Sequence, residues 1–372
     1  MPPTDLIVLS HLRWTWVWQR PQQLVSRLAR GRRTWFVEEP HSGDVEIPRL
    51  RFSDGGPVTR VWLEVPGPDH QVGFGHPAAS LYSQHLSDLL GPAEDRAVWL
   101  YTPMALDIAR ALSPSVLVYD LMDDLASFKG APPELGLRHH QALREADLVF
   151  AGGRSLYRAA CQHRPLGTYL FQSGVEPEHY ASAPRDRRRP MPVAGYVGVI
   201  DERLDLELIA GLAAALEDWE IQMVGPVTKI DPTTLPRPVN LAYKGPQPYE
   251  RLPHVMADLD VALMPFALNE ATRSISPTKT LEYLAAGLPV VSTPVPDVVA
   301  DYGHVVEVHT EVAAFADACR RSVTMDVGQR ADKVRPLLQW HHWDSIAARM
   351  EELIGSALAG LPPSVSTPNS AS

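Results

Sequence analysis

The sequence predicts an α/β protein built of two Rossmann-like, doubly wound domains facing a cleft. Three observations predict it. Short apolar strands alternate with helical stretches. The alternation pauses once, in a segment rich in Pro and Arg, and then restarts. The chain, at 372 residues, is also longer than one ordinary hydrophobic core supports.

The elements follow in order. LIVLS (6–10) reads as a buried strand and PQQLVSRLAR (21–30) as a helix with Pro at its start, where the missing N–H is harmless. TWFVEE (34–39) reads as a second strand. AVWLYT (97–102), SVLVYDL (115–121) and DLVFAG (147–152) are further strands, separated by helical stretches such as LRHHQALREA. Residues 1–178 are expected as the N-terminal domain. GVEPEHYASAPRDRRRPMP (174–192) lacks apolar periodicity, and 179–192 are expected as the linker. The second domain, 193–338, repeats the alternation. VAGYVGVI (193–200) is a strand, LDLELIAGLAAALE (204–217) a helix and EIQMVGP (220–226) a strand. NLAYKG (240–245), DVALMPF (260–266), PVVST (289–293) and HVVEV (304–308) continue it. A last helix, from about Ser345 to Leu358, lies within 339–360, and the tail 361–372 is expected to be disordered. Two such domains set two rows of strand carboxyl ends around a cleft, where ligands of open α/β sheets bind.

Composition narrows the function classes. A hydrophobic fraction of 45% and a charged fraction of 21% fit a globular protein in water. Two cysteines, Cys161 and Cys319, make neither a disulfide framework nor a zinc cluster. MPPTDLIVLSHLRW has no basic stretch followed by an apolar one, so no secretory signal is expected, and a cytoplasmic location follows. The net charge of −10 lies entirely beyond residue 190, because residues 1–190 hold 21 acidic and 21 basic side chains. An acidic second half argues against nucleic acid as a partner. Between Leu6 and Val37, by contrast, no acid accompanies Arg13, Arg20, Arg27, Arg30, Arg32 and Arg33, and Trp14, Trp16, Trp18 and Trp35 are interleaved with them. This run suits either peripheral contact with the inner membrane surface or an ordinary helix face over buried tryptophans.

SISPTKTLEYLAAGLPVVST (274–293) carries the densest chemistry. Ser276 suits an N-cap and Pro277 the first helical position. Leu281, Leu284 and Leu288 fall on a core-facing stripe, Gly287 ends the helix, and Pro289 cannot continue it. The helix start offers free N–H groups, a positive dipole end and Lys279, which together suit a diphosphate. Glu282, one turn on, would repel phosphate but accept hydrogen bonds from a ribose diol. The alternative is a capped helix with a Lys279–Glu282 surface pair.

At these residues the chain resembles the GT-B glycosyltransferases of the family 4 type, which build bacterial cell-surface polysaccharides. PTKTLEYLAAGLPVVST resembles their nucleotide-binding segment. GYVGVIDERLDLELI resembles the first strand, loop and helix of their C-terminal domain, and NLAYKGPQPYERLPHVMADLDVALMPF the segment that flanks the base. WQRPQQLVSRLA, VYDLMDDLASFKG and ADLVFAGGRSLY resemble a subgroup that includes teichuronic-acid enzymes. The resemblance reaches to about residue 355. It implies a C-terminal helix closing on the N-terminal domain and metal-independent, retaining transfer from a nucleotide sugar. The implied acceptor is a cell-surface glycan or a lipid-linked glycan.

The family pattern is a Glu, seven residues, and a second Glu that holds the ribose. Glu282 takes the second position, and Ser274 stands at the first, where the family's carboxylate touches the donor sugar. Ser274, Ser276, Thr278 or backbone N–H groups are the substitutes. The family often follows its first C-domain strand with Gly-Arg and then Lys, to grip the diphosphate. Here Gly198 is followed by Val199, and Asp205 stands at the Lys position. Arg203, Arg273 and Lys279 are nominated as the cations, and Gly245 to Tyr249 as the border of the base.

The chemistry explains the demand for cations. The departing nucleoside diphosphate gains negative charge, which something must stabilise. Asp258-Leu-Asp260 resembles a metal-binding pair but precedes its strand, so it reads as a helix-to-strand connection. No metal and no cofactor are expected. Asp120 and Asp123, after SVLVY, are candidates to orient or deprotonate an acceptor hydroxyl. The alternative for them is helix capping and loop hydrogen bonding. Arg13 and Arg20 are candidates for the acceptor or its phosphate. Two other functions stay open: a sugar-nucleotide epimerase of the same fold, and a non-catalytic sugar-nucleotide-binding partner of polysaccharide assembly.

Overall fold

A computed structural model describes residues 5–68, 70–91, 95–128, 130–183, 190–273, 275, 278–325 and 327–361. The chain divides into two compact units, Met1–Gln172 with Asp344–Ser372, and Ser173–Trp343.

The first unit opens with β1 (Asp5–Ser10), α1 (Arg20–Leu28) and β2 (Thr34–Glu38). It goes on through β3 (His41–Gly43), β4 (Arg49–Asp54), β5 (Thr59–Pro66) and β6 (His70–Gln71). Then come α2 (Ser80–Leu90), β7 (Arg96–Leu100), α3 (Leu106–Ala111), β8 (Val116–Leu121), α4 (Leu135–Glu145), β9 (Leu148–Ala151), α5 (Arg154–His163) and β10 (Thr168–Leu170). The strands run in the order β10-β9-β8-β7-β1-β2-β5-β3-β6, and β4 pairs with β5. From β10 to β5 every neighbouring pair is parallel. Parallel strands covered on both faces must be apolar throughout, and β7, β8 and β9 are buried at every position. Ile7, Leu9, Val98, Leu100 and Tyr82 lie at the heart of this core. The antiparallel β4–β5 pair was not legible in the sequence. RLRFSD is partly or fully exposed along its whole length, so it shows no apolar run.

The second unit starts with α6 (Pro177–Tyr180), β11 (Val193–Val197), α7 (Leu206–Ala215), β12 (Glu220–Val224), β13 (Leu241–Gly245), α8 (Leu252–Ala257) and β14 (Val261–Met264). It ends with α9 (Glu270–Arg273), α10 (Thr278–Ala285), β15 (Val290–Ser292), α11 (Pro296–Tyr302), β16 (Glu307–Val308), α12 (Val312–Thr324) and α13 (Val327–Trp340). Its sheet is parallel throughout, in the order β13-β12-β11-β14-β15-β16. The strand order reverses at β11, so the crevice beyond the carboxyl ends of β11 and β14 is the expected ligand position. PEHY, within the stretch without apolar periodicity, forms the short helix α6, and Tyr180 at its end is buried.

The last helix, α14 (Trp343–Leu358), packs into the first unit. It answers the arginine run near the start of the chain. Arg27 Nε donates to Asp344 at 2.6 Å, Arg32 pairs with Glu351, and Arg349 lies 5.2 Å over the Phe171 ring. Arg33 pairs with Asp5. The cations between Leu6 and Val37 are thus largely matched by acids, most of them distant in sequence. These pairings fit the reading of the run as an ordinary helix face over buried tryptophans. Trp14 is buried, in edge contact with Trp18 and Phe36. No helix among the described residues is long and apolar enough to cross a membrane.

Candidate functional site

The second unit gathers most of the residues nominated for the donor. Gly198 follows β11 directly, and its N–H donates to the Val224 carbonyl at 2.8 Å. The backbone here passes where no side chain fits. A Cβ on Gly198 would lie 1.9 Å from Lys279 Cε, 2.7 Å from Lys279 Nζ and 2.9 Å from the Tyr196 hydroxyl. Lys279 therefore lies across the Gly198 backbone at the strand's carboxyl end. Gly225, at the end of β12, is equally crowded: a Cβ there would meet the Gly198 carbonyl oxygen at 1.9 Å. Tyr283 fixes α10 to β11, because its hydroxyl accepts from Val197 N–H at 2.8 Å and donates to Val197 O at 3.2 Å. This clasp carries Lys279 and Glu282 to the mouth of the strand.

Glu282 is half-buried on α10. Loss of hydration raises its carboxyl above the ordinary range, while Lys279, the Tyr180 hydroxyl and His179 pull it back down. Tyr180 was not anticipated. Burial drives its phenol well above the ordinary value, and the neighbouring Glu282 and Tyr249 push it further up. Its hydroxyl is shut from solvent and makes no hydrogen bond of good geometry among the described residues. His179 stacks on Tyr249 with centroids 4.1 Å apart and planes at 5°. The Tyr249 hydroxyl donates to Glu176 at 2.8 Å. Tyr249 is thus anchored to α6, and the signal available in the sequence was the aromatic pair His179-Tyr180 inside an otherwise unpatterned stretch.

The other nominations divide. Arg203 donates to Asp201 from Nε at 2.9 and 3.1 Å and from Nη2 at 2.7 Å, so a buried acid already holds the proposed phosphate cation. The expected phosphate cation is thus already paired with an acid. The sequence shows Asp201 two residues away but not that its carboxylate folds back. Arg273, at the end of α9, is exposed, and its guanidinium has no partner among the described residues. Thr278 Oγ1 approaches Ser173 Oγ at 3.3 Å. Gly245 ends β13 with φ +70° and open space around its Cα. Ser274 and Ser276 lie outside the described residues. Asp205 caps α7 by accepting from Leu208 N–H at 2.8 Å. Asp260 accepts from Val193 N–H at 2.9 Å, at the amino ends of β14 and β11, which fits a connection and not a metal site.

In the first unit, Arg20 and Asp120 are brought together and buried. Arg20 donates to Asp120 from Nε at 3.1 and 3.2 Å and from Nη2 at 2.9 Å, and Nη1 donates to the Phe171 carbonyl at 2.9 Å. Burial pushes the Asp120 carboxyl up, while Arg20 and the Tyr101 hydroxyl pull it down. Asp120 is 0% and Arg20 3% exposed. This corrects both expectations. Both side chains are engaged in this pairing and closed to solvent, and the pair ties the start of α1 to the end of β8. Arg13 Nη1 donates to Glu38 at 3.2 Å, a buried carboxylate that also receives Arg60 and the Trp14 N–H. Asp123 is half-buried after β8, and its neighbour Asp124 accepts from Ser127 at 2.6 Å. His139 Nδ1 lies 2.9 Å from the Tyr119 hydroxyl, and burial beside His140 lowers its pKa to about 4.

Solved structures share this architecture over nearly the whole chain. A UDP-forming α,α-trehalose-phosphate synthase from Burkholderia xenovorans aligns with TM-score 0.70 at 13% identity, covering 96% of this chain and 99% of that one. HepE of Anabaena, solved with UDP and glucose, aligns with TM-score 0.69 at 17% identity, covering 95% of this chain and 100% of that one. The chain has the GT-B fold. Within it, residues 192–324 match the family described as glycosyl transferases group 1. The GT-B chain is also 36% identical, over 167 residues, to a protein of Bacillus subtilis strain 168 named as a teichuronic acid biosynthesis glycosyltransferase, TuaH. That match spans 41% of this chain and 42% of the relative. The family segment encloses Gly198, Arg203, Gly245, Tyr249, Arg273, Lys279 and Glu282, and excludes Tyr180.

Proposed function

We propose that the protein is a glycosyltransferase whose second unit binds a nucleotide sugar at Gly198, Lys279 and Glu282. The observation that carries this reading is Lys279 lying across the bare backbone of Gly198, with Glu282 one turn on, at the strand whose neighbours reverse the sheet order. The glycine leaves the space in which Lys279 lies across the strand end. The ammonium meets the growing negative charge of the leaving diphosphate. Glu282 accepts from the ribose hydroxyls, each charge-assisted hydrogen bond contributing roughly 1.5–3 kcal/mol. Arg273 is the second cation, and the cations of the chain take the role that a metal plays elsewhere. Arg203, paired with Asp201, stands beside them. Tyr249 and Gly245 border the base.

UDP is the first nucleotide to try, since solved proteins of this fold carry it. In the first unit, Asp123 is assigned to the acceptor hydroxyl, and Arg13 to an anionic part of the acceptor. The match to a teichuronic acid enzyme supports a surface-glycan or lipid-linked acceptor, and the resemblance supports retention of configuration. The test is calorimetry with UDP and UDP-sugars. Glu282→Ala should weaken binding by tenfold or more and leave the circular dichroism spectrum unchanged. Equal affinity in the variant would remove Glu282 from the site.

A further inference from the structure

One acid near this site is used by nothing described so far. Glu202 stands in the loop after β11. Both of its carboxylate oxygens are shut from solvent, and neither has a hydrogen-bond partner among the described residues. A buried carboxylate without a donor is strongly disfavoured, and native structures keep such groups rarely. The surrounding loop is not loose. Ala267 N–H donates to the Arg203 carbonyl at 2.8 Å, and Asp205 N–H donates to the Pro265 carbonyl at 2.9 Å. Leu204 and Phe266 form an antiparallel bridge, and Asn269 Nδ2 approaches the Glu202 carbonyl at 3.4 Å. The loops after β11 and β14 are therefore stitched together where the strand order reverses. Glu202 sits in this seam, four residues beyond the glycine that Lys279 covers.

We propose that Glu202 is a donor-sugar ligand: its two oxygens receive hydroxyl groups of the hexose carried by the nucleotide. This rests on the donor reading above and extends it to the sugar. An ionised carboxylate is an acceptor only, so its occupant must bring donors. A phosphate or carboxylate ligand brings none and is repelled. Asp201, the adjacent acid, is already taken by Arg203, so a cation would find a single free carboxylate here. A vicinal diol supplies two O–H donors to one carboxylate.

The experiment uses Glu202→Gln and Glu202→Ala in the full chain. Calorimetry compares a panel of UDP-, GDP- and ADP-sugars with the matching free diphosphates, and a thermal melt is recorded without ligand. We expect both variants to bind the free diphosphate as the wild type does. We expect them to lose at least tenfold in affinity for the sugar-bearing donor, and in kcat/KM for its transfer or slow hydrolysis. Glu202→Gln should melt no lower than the wild type, because neither carboxylate oxygen has a hydrogen bond to lose among the described residues. A residue with a purely structural role predicts a lower melt. The proposal is overturned if donor affinity is unchanged in both variants, or if Glu202→Gln melts lower than the wild type. It is equally overturned if the wild type binds Mg2+ or Mn2+ without nucleotide and the variants do not. A wild type that binds no member of the panel refutes the donor reading itself, a result distinct from each of these.

Discussion

Gly198→Ala gives the sharpest test of how the donor site is built. The new methyl carbon would stand 1.9 Å from Lys279 Cε and 2.7 Å from Nζ, well inside contact distance. The lysine end is flexible and can move, but the Tyr196 hydroxyl also stands 2.9 Å away and the backbone φ of +159° disfavours any side chain, so a thermal melt of the variant is recorded beside the binding measurement. Moving it removes its charge-assisted hydrogen bond to the diphosphate, worth roughly 1.5–3 kcal/mol. At about 1.36 kcal/mol per factor of ten, donor affinity should fall by about 10- to 150-fold. Lys279→Ala should fall by a similar factor. The decisive measurement is the double variant, followed by calorimetry with UDP. If Gly198 matters only because Lys279 lies on it, the double variant binds no more weakly than Lys279→Ala alone. Additive losses would refute the reasoning, since they would give the glycine backbone an independent share of the ligand. Unchanged binding in Gly198→Ala would refute it more directly.

Two further outcomes follow from the buried charges. Asp120→Asn leaves the Arg20 guanidinium buried without its counter-ion, and breaking such a pair costs about 3–5 kcal/mol. The urea midpoint of the first unit, read by tryptophan fluorescence, should drop accordingly, and a loss below about 1 kcal/mol would mean that the pair is not ionised in the fold. Glu282 sets a pH dependence of known sign. Its folded carboxyl titrates above the ordinary value, so the folded chain holds this proton longer than the unfolded chain does. Its contribution to folding stability is therefore greatest at low pH and is lost as pH rises through the raised pKa. UDP binding needs the ionised form and should strengthen across the same interval. Glu282→Gln should abolish both slopes, and a binding profile that keeps its slope in that variant would assign the titration to another group.

Much of the architecture was legible in the chain itself. Strands buried on both faces have to be apolar throughout, so LIVLS, SVLVYDL and DVALMPF declare themselves without any partner in view. The helix carrying Lys279 and Glu282 was legible because its leucines repeat at helical spacing and Gly287 and Pro289 mark its end. Those are local properties, set by the geometry of a helix or a strand within a few residues. Where a charge goes is not local. Arg20 and Asp120 lie a hundred positions apart, and both looked like surface acceptor groups until the sheet brought them together in the dark. Arg203 is paired with Asp201 through a side-chain rotamer that no spacing rule records. Tyr180 and His179 came from a stretch without periodicity, since a single helical turn is too short to show one. Glu202 was one acid among many in the string; only packing revealed that its oxygens are cut off from water, without a hydrogen-bond partner among the described residues. Sequence thus determined which segments are buried backbone, because burial of a strand or helix is written in the repeat of its own side chains. The tertiary structure alone decided which charges are paired, because pairing and desolvation depend on neighbours drawn from the whole chain.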